Sequence, residues 1–136
     1  MKVWLARCVL VSGLYDIFMA IIFLFGSPIL SIAINYPITP LSGALLQIIG
    51  GFLIGFGLAL ITSAQNLDQL LIVPLANIPA RLIALIILVY YIFALGLPYL
   101  LLIFGIIDGA FAILFAIFII AIPEYDFRLA LGKRSA

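Results

Sequence analysis

The chain has 136 residues, 68% of them hydrophobic and 8% charged, with no histidine and Lys+Arg 6 against Asp+Glu 5. Average globular usage is about 45–50% apolar and about 25% charged, so a water-soluble domain of this length has nowhere to hide so much apolar surface. The near-neutral balance offers no basic surface for nucleic acid, and the composition is the opposite of a disordered chain.

Four apolar stretches reach the roughly 20 residues that a bilayer crossing needs. They lie at 4–25, 41–62, 70–94 and 98–122, with a tail at 123–136. Together they predict one all-α transmembrane domain. In the first stretch, Lys2 and Arg7 ahead of an apolar run resemble the start of a secretory signal. The run is too long, and no pair of small residues marks a cleavage site at a sensible distance, so a retained helix is expected. Gly26-Ser27-Pro28 ends it, and residues 29–40, with Asn35, Pro37 and Pro40, read as a loop or short interfacial segment.

The second stretch is rich in glycine and stops at Ser63-Ala64-Gln65-Asn66. Asn66 and Gln69 have the spacing of an N-cap and its capping-box partner, which starts the third helix close to Leu67. Gly96-Leu97-Pro98 makes a tight connection, with Pro98 suited to the first turn of the last helix. Short connections force antiparallel neighbours and hence an up-down-up-down four-helix bundle.

Cations set the expected orientation. Lys2 and Arg7 flank the N-terminus, Arg128, Lys133 and Arg134 lie in the tail, and the connections at 26–40 and 95–98 have none. The positive-inside rule therefore predicts both termini in the cytoplasm, and an even number of spans satisfies it. Trp4 and Tyr125 then fall at the inner interface, and Tyr36, Tyr90, Tyr91 and Tyr99 at the outer one.

Each stretch also offers a strongly polar side chain at about the same depth. Counted at 1.5 Å per residue from the cytoplasmic ends, Asp16 lies roughly 18 Å deep, Arg81 roughly 16 Å, Asp108 roughly 21 Å and Gln47 roughly 22 Å. Opposite charges at one depth in hydrocarbon are expected to face inward and pair. Small residues accompany them: Ser12, Gly13 and Ala20 beside Asp16, Gly105, Gly109 and Ala112 beside Asp108, and Gly43, Gly51, Gly55 and Leu58 on the side of Gln47. In the third helix Asn77, Ala84, Leu88 and Tyr91 share the side of Arg81. Gly51/Gly55 and Gly105/Gly109 are G-x-x-x-G pairs, the signature of close helix approach in membranes.

Three readings of the polar set stand side by side. In the first, Arg81 bridges Asp16 and Asp108 as internal glue that fixes which helices are neighbours. In the second, two acids and one base line a polar cavity, and the acid left without a full counter-charge trades a proton against a substrate. In the third, Pro79 starts the third helix and Arg81 snorkels to the headgroups. Tyr90 and Tyr91, about 20 residues beyond Leu70, favour the longer helix. Gly13 to Phe23 and Gly105 to Phe115 share a G-x-x-D-x-x-x-A-I-x-F pattern, which reads either as inverted symmetry around a midplane site or, the favoured reading, as chance in so Ile/Leu/Phe/Ala-rich a chain. Pro74 and Pro79 are candidates for bending the third helix.

The chemical kit is thin. Without histidine the commonest general base and metal ligand is missing. Cys8 is alone, and Leu5-Ala6-Arg7 before it puts a bulky cation where lipoprotein processing wants a small residue. No enzyme activity, cofactor or metal is expected.

Gly13-Leu-Tyr-Asp16, Gln47-Ile-Ile-Gly50-Gly51-Phe-Leu-Ile-Gly55, the cation of the third helix before Tyr90-Tyr91, and Gly96-Leu97-Pro98 leading into Ile107-Asp108 resemble the DoxX-like group of small four-helix prokaryotic membrane proteins. That resemblance covers most of the chain. It implies a multi-pass protein of a prokaryotic plasma membrane, some relatives being subunits or partners of quinone-linked respiratory enzymes. Small multidrug exporters are similar in helix number and in an acid on the first helix. Here that acid is Asp16 instead of glutamate, and Arg81 is an addition. The function expected is a non-catalytic accessory or scaffold subunit that packs against other membrane proteins or itself, and against lipid. The alternative is a carrier or binding protein for a small lipophilic molecule or proton-coupled substrate, built on Asp16, Arg81 and Asp108.

Overall fold

A computed structural model of the chain describes residues 1–122, so the tail at 123–136, with Glu124, Tyr125, Asp126, Arg128, Lys133 and Arg134, lies outside the described residues. The described part is helical throughout: α1 (Lys2–Phe25), α2 (Ser27–Ile34), α3 (Pro40–Gln65), α4 (Leu67–Leu70), α5 (Ile72–Leu95), a single 3₁₀ turn (Tyr99–Leu101) and α6 (Leu102–Ile120). The helices α1, α3 and α5, together with Tyr99–Ile120, are each long and apolar enough to cross a membrane.

Local chemistry explains the boundaries. Thr39 caps α3, its hydroxyl oxygen accepting from the Ser42 backbone N–H at 3.2 Å, and Pro40 follows in the first turn, where no N–H is missed. Gly96 ends α5 at φ 71, and the N–H groups of Gly96 and Leu97 return to the carbonyls of Ile92 and Tyr91. A left-handed residue there favours glycine, which has no Cβ to clash.

The connection after α1, read as a loop or short interfacial segment, holds the short helix α2, started by Pro28 in its first turn and stopped by Asn35 at φ 49. Asparagine tolerates that left-handed geometry better than most residues. The third long helix does not begin with an Asn66 side-chain cap. Asn66 leads only the one-turn α4 and makes no capping bond, the chain breaks at Leu71, and α5 starts at Ile72. The Ser63 hydroxyl donates to the Leu70 carbonyl at 3.0 Å instead and holds that corner. Pro74 falls in the first turn of α5, and Pro79 lies inside the helix without ending it.

Packing is antiparallel in two hairpins. In the first, α1 and α3 touch backbone to backbone. A Cβ on Gly13 would stand 2.7 Å from the Gly57 carbonyl oxygen, and one on Gly57 would stand 2.7 Å from that of Gly13. Two turns further, a Cβ on Gly50 would stand 3.1 Å from the Ala20 carbonyl oxygen. In the second hairpin, Leu85 of α5 fills the space over Gly105 and Gly109 of α6, at 3.1 and 2.8 Å from their would-be Cβ atoms. The hairpins share a core of Leu5, Val9, Leu60, Leu71, Phe115, Ile119 and Ile122. That core places the start of α1, the end of α6 and the α3–α5 corner at one end of the bundle. Lys2 bridges to Asp68 there at 2.9 Å, and the Arg7 guanidinium lies over the Trp4 ring. Tyr36, Tyr90, Tyr91 and Tyr99 are exposed at the opposite end.

Candidate functional site

The site sits where α1, α5 and α6 meet. Arg81 is buried, 5% exposed, and its planar fork is fully engaged. Nε donates to Asn77 Oδ1, one turn earlier on the same helix. Nη2 donates to both Asp16 oxygens, at 2.7 and 2.8 Å, and to Ser12 Oγ at 2.7 Å. Nη1 donates to Asp108 Oδ1. The same guanidinium lies 5.4 Å from the Phe111 ring centroid, and Phe111 stacks at a tilt against Tyr15. Five rigid donors in one plane suit this three-way pairing, and a lysine ammonium could not reproduce it.

Helical spacing builds the site. Ser12 and Asp16 are four residues apart on α1, as are Asn77 and Arg81 on α5, so each pair lines one face. Glycines at 105 and 109 flank Asp108, and the closeness they allow between α5 and α6 lets a short aspartate reach the guanidinium. Asp16, Arg81 and Asp108 are therefore brought together from three helices, and Arg81 does not turn toward the bundle's end. Ser12 and Asn77 stand on the faces expected for them. Their role as partners of Arg81 was missed, although their i, i+4 spacing from Asp16 and Arg81 was a signal that could have found it.

Gln47 is not part of the site. It is exposed, on the same outward side of α3 as Gly51 and Gly55, and a Cβ added to either glycine would meet nothing within 4 Å. The buried face of α3 instead runs through Gly50, Gly57, Leu60 and Ser63. The reason is steric: Gly50 and Gly57 oppose Ala20 and Gly13 of α1, so both partners lack bulk at the same levels and the backbones close up. Gly51 and Gly55 are thus not internal packing residues, whereas Gly105 and Gly109 are. On α5 the inward face passes through Pro74, Asn77, Arg81 and Ile92, and leaves Ala84 and Tyr91 exposed.

Among the described residues, no group of three or more His, Cys, Asp or Glu side chains is placed to hold a metal ion. Compared with protein-family models, with curated proteins and with solved structures, the chain matches none.

Proposed function

We propose that this is an integral membrane protein of a prokaryotic plasma membrane, with both termini in the cytoplasm, serving as a non-catalytic accessory subunit that packs against the transmembrane helices of a partner. The observation that carries the reading is the open side of α3. Gly51 and Gly55 form a G-x-x-x-G pair with nothing over them, beside the exposed amide of Gln47. Glycines so spaced let a second helix approach closely, and an amide facing hydrocarbon gains most from a partner's polar group. The Asp16–Arg81–Asp108 cluster serves in this reading as the clasp between the two hairpins. The resemblance to DoxX-like proteins makes a respiratory, quinone-linked complex the partner to look for first.

Membrane insertion is supported by the four apolar helices of 22 to 26 residues and by outward-facing Phe18, Ile48, Phe52, Ile86 and Ile120. The tyrosines at one end and Trp4 with its cations at the other suit two membrane interfaces. Gentle detergent extraction from the native membrane tests the role. A polypeptide that co-purifies with the wild-type chain and is lost from Gly51→Leu, while the variant stays folded, supports it. A wild-type protein that runs alone refutes it.

A second reading has one observation in its favour. Asp108 has a side chain 25% exposed, against 4% for Asp16, so the cluster is reachable from the flank of α6. In that reading the chain is a carrier or binding protein, and its small lipophilic molecule or proton-coupled substrate enters there.

A further inference from the structure

The clasp does not balance its charges. Asp16 and Asp108 both pair with Arg81, so two carboxylates share one guanidinium and the group carries a net charge of −1 if both acids are ionised. A charge left over in apolar surroundings is costly, and the cheapest remedy is one added positive charge.

The two acids are not equivalent recipients. Both Asp16 oxygens are held by Arg81 Nη2, and the side chain is only 4% exposed. Asp108 gives Oδ1 to Nη1, while Oδ2 takes part in no ion pair or hydrogen bond described for the site, and the side chain is 25% exposed. The other titratable side chains that face the cluster come from α1, where Tyr15 and Cys8 are both half-buried. Helix α3 contributes none, since its sequence has no ionisable residue.

We propose that Asp108 is a proton-binding site, taking one exchangeable proton on Oδ2 at neutral pH while Oδ1 continues to accept from Arg81. The added proton brings the cluster to neutrality without disturbing Asp16. A hard metal cation is the poorer candidate for that charge, because such ions demand a cage of about six or more oxygens, and among the described residues no third acidic side chain joins Asp16 and Asp108 to build one. The proton exchanges through the exposed flank of α6, so the clasp is also a site that loads and unloads. This inference rests on the membrane reading of the helices and is independent of the accessory role.

The test uses purified full-length protein in detergent and the lipophilic reagent dicyclohexylcarbodiimide. A protonated carboxyl adds across one C=N bond of the reagent: its proton goes to nitrogen and its oxygen bonds to the central carbon. The O-acylisourea then rearranges to a stable N-acylurea, with nothing leaving. Mass spectrometry is expected to find the adduct on Asp108, with a rate that falls about tenfold per pH unit once the proton is lost. In parallel, infrared spectra of protein with isotope-labelled aspartate are expected to show a protonated-carboxyl band at neutral pH. Asp108→Asn and Asp16→Asn should each abolish the band, because either leaves one acid for one base. An adduct on Asp16, an absent band in the wild type, or a band that survives Asp16→Asn overturns the proposal. The wild-type labelling decides the matter even if a variant fails to fold. An alkaline carbonate wash separates the two levels of failure: protein released from membranes refutes the membrane reading, whereas protein retained without the band refutes this proposal alone.

Discussion

Replacing Gly57 by alanine should part the first hairpin, and the size of the effect follows from its geometry. The new Cβ would stand 2.7 Å from the Gly13 carbonyl oxygen and 2.8 Å from Ile17 Cγ1. A carbon–oxygen contact relaxes at about 3.3 Å, so α1 and α3 must separate by about 0.6 Å. A gap of that size forfeits about a third of each dispersion contact, and about 40 atom pairs at about 0.15 kcal/mol then lose about 2 kcal/mol. The lower backbone entropy of alanine returns about 0.5 kcal/mol, leaving a net loss of about 1.5 kcal/mol. Gly51→Ala, with nothing within 4 Å of its Cβ, should instead be neutral or slightly stabilising. Reversible unfolding in mixed micelles of rising dodecyl sulfate fraction, followed by circular dichroism, reads both. Gly13→Ala/Gly57→Ala should cost less than the sum of the single changes, since the first substitution opens the gap that the second uses. Equal losses at Gly57 and Gly51 would refute the assignment of the α3 faces.

Arg81→Met leaves two acids in the interior with no counter-charge and should cost about 3–5 kcal/mol in the same assay. Asp16→Asn/Arg81→Met/Asp108→Asn should recover most of that loss, because amides and a thioether carry no charge to compensate; a triple variant as unstable as the single one would count against a clasp role. Asp68→Asn removes a pair whose side chains are 49% and 76% exposed and should cost no more than about 0.5 kcal/mol, vanishing at high salt.

The parts of the molecule legible from sequence are those governed by strong, local or long-range charge rules. Runs of apolar residues longer than 20 admit few structures other than helices, and Gly96-Leu97-Pro98 spells a turn by itself. Asp16, Arg81 and Asp108 were found together because opposite charges at one depth have no better partners than each other. The face of α3 was not legible in the same way. Its sequence has glycines on both sides, at 50 and 57 and at 51 and 55, and Gln47 drew attention to the wrong pair. The choice was made by α1, whose Gly13 and Ala20 match the levels of Gly57 and Gly50, and such matching is a property of two helices at once. Asn66 misled for a different reason: its capping pattern was sound, but the N–H groups of Gln69 and Leu70 bond to its own backbone carbonyl, not to its side chain.

Where the charges sit along the chain bears on how such a protein is made. Arg81 and Asp108 belong to consecutive long helices, so that hairpin carries an ion pair of its own. Asp16 belongs to the other hairpin, whose cations Lys2 and Arg7 are turned to Asp68 and Trp4, so its partner Arg81 comes only with the docking of the two hairpins. The joining of the two hairpins is therefore reported by a single event, the capture of Asp16 by Arg81.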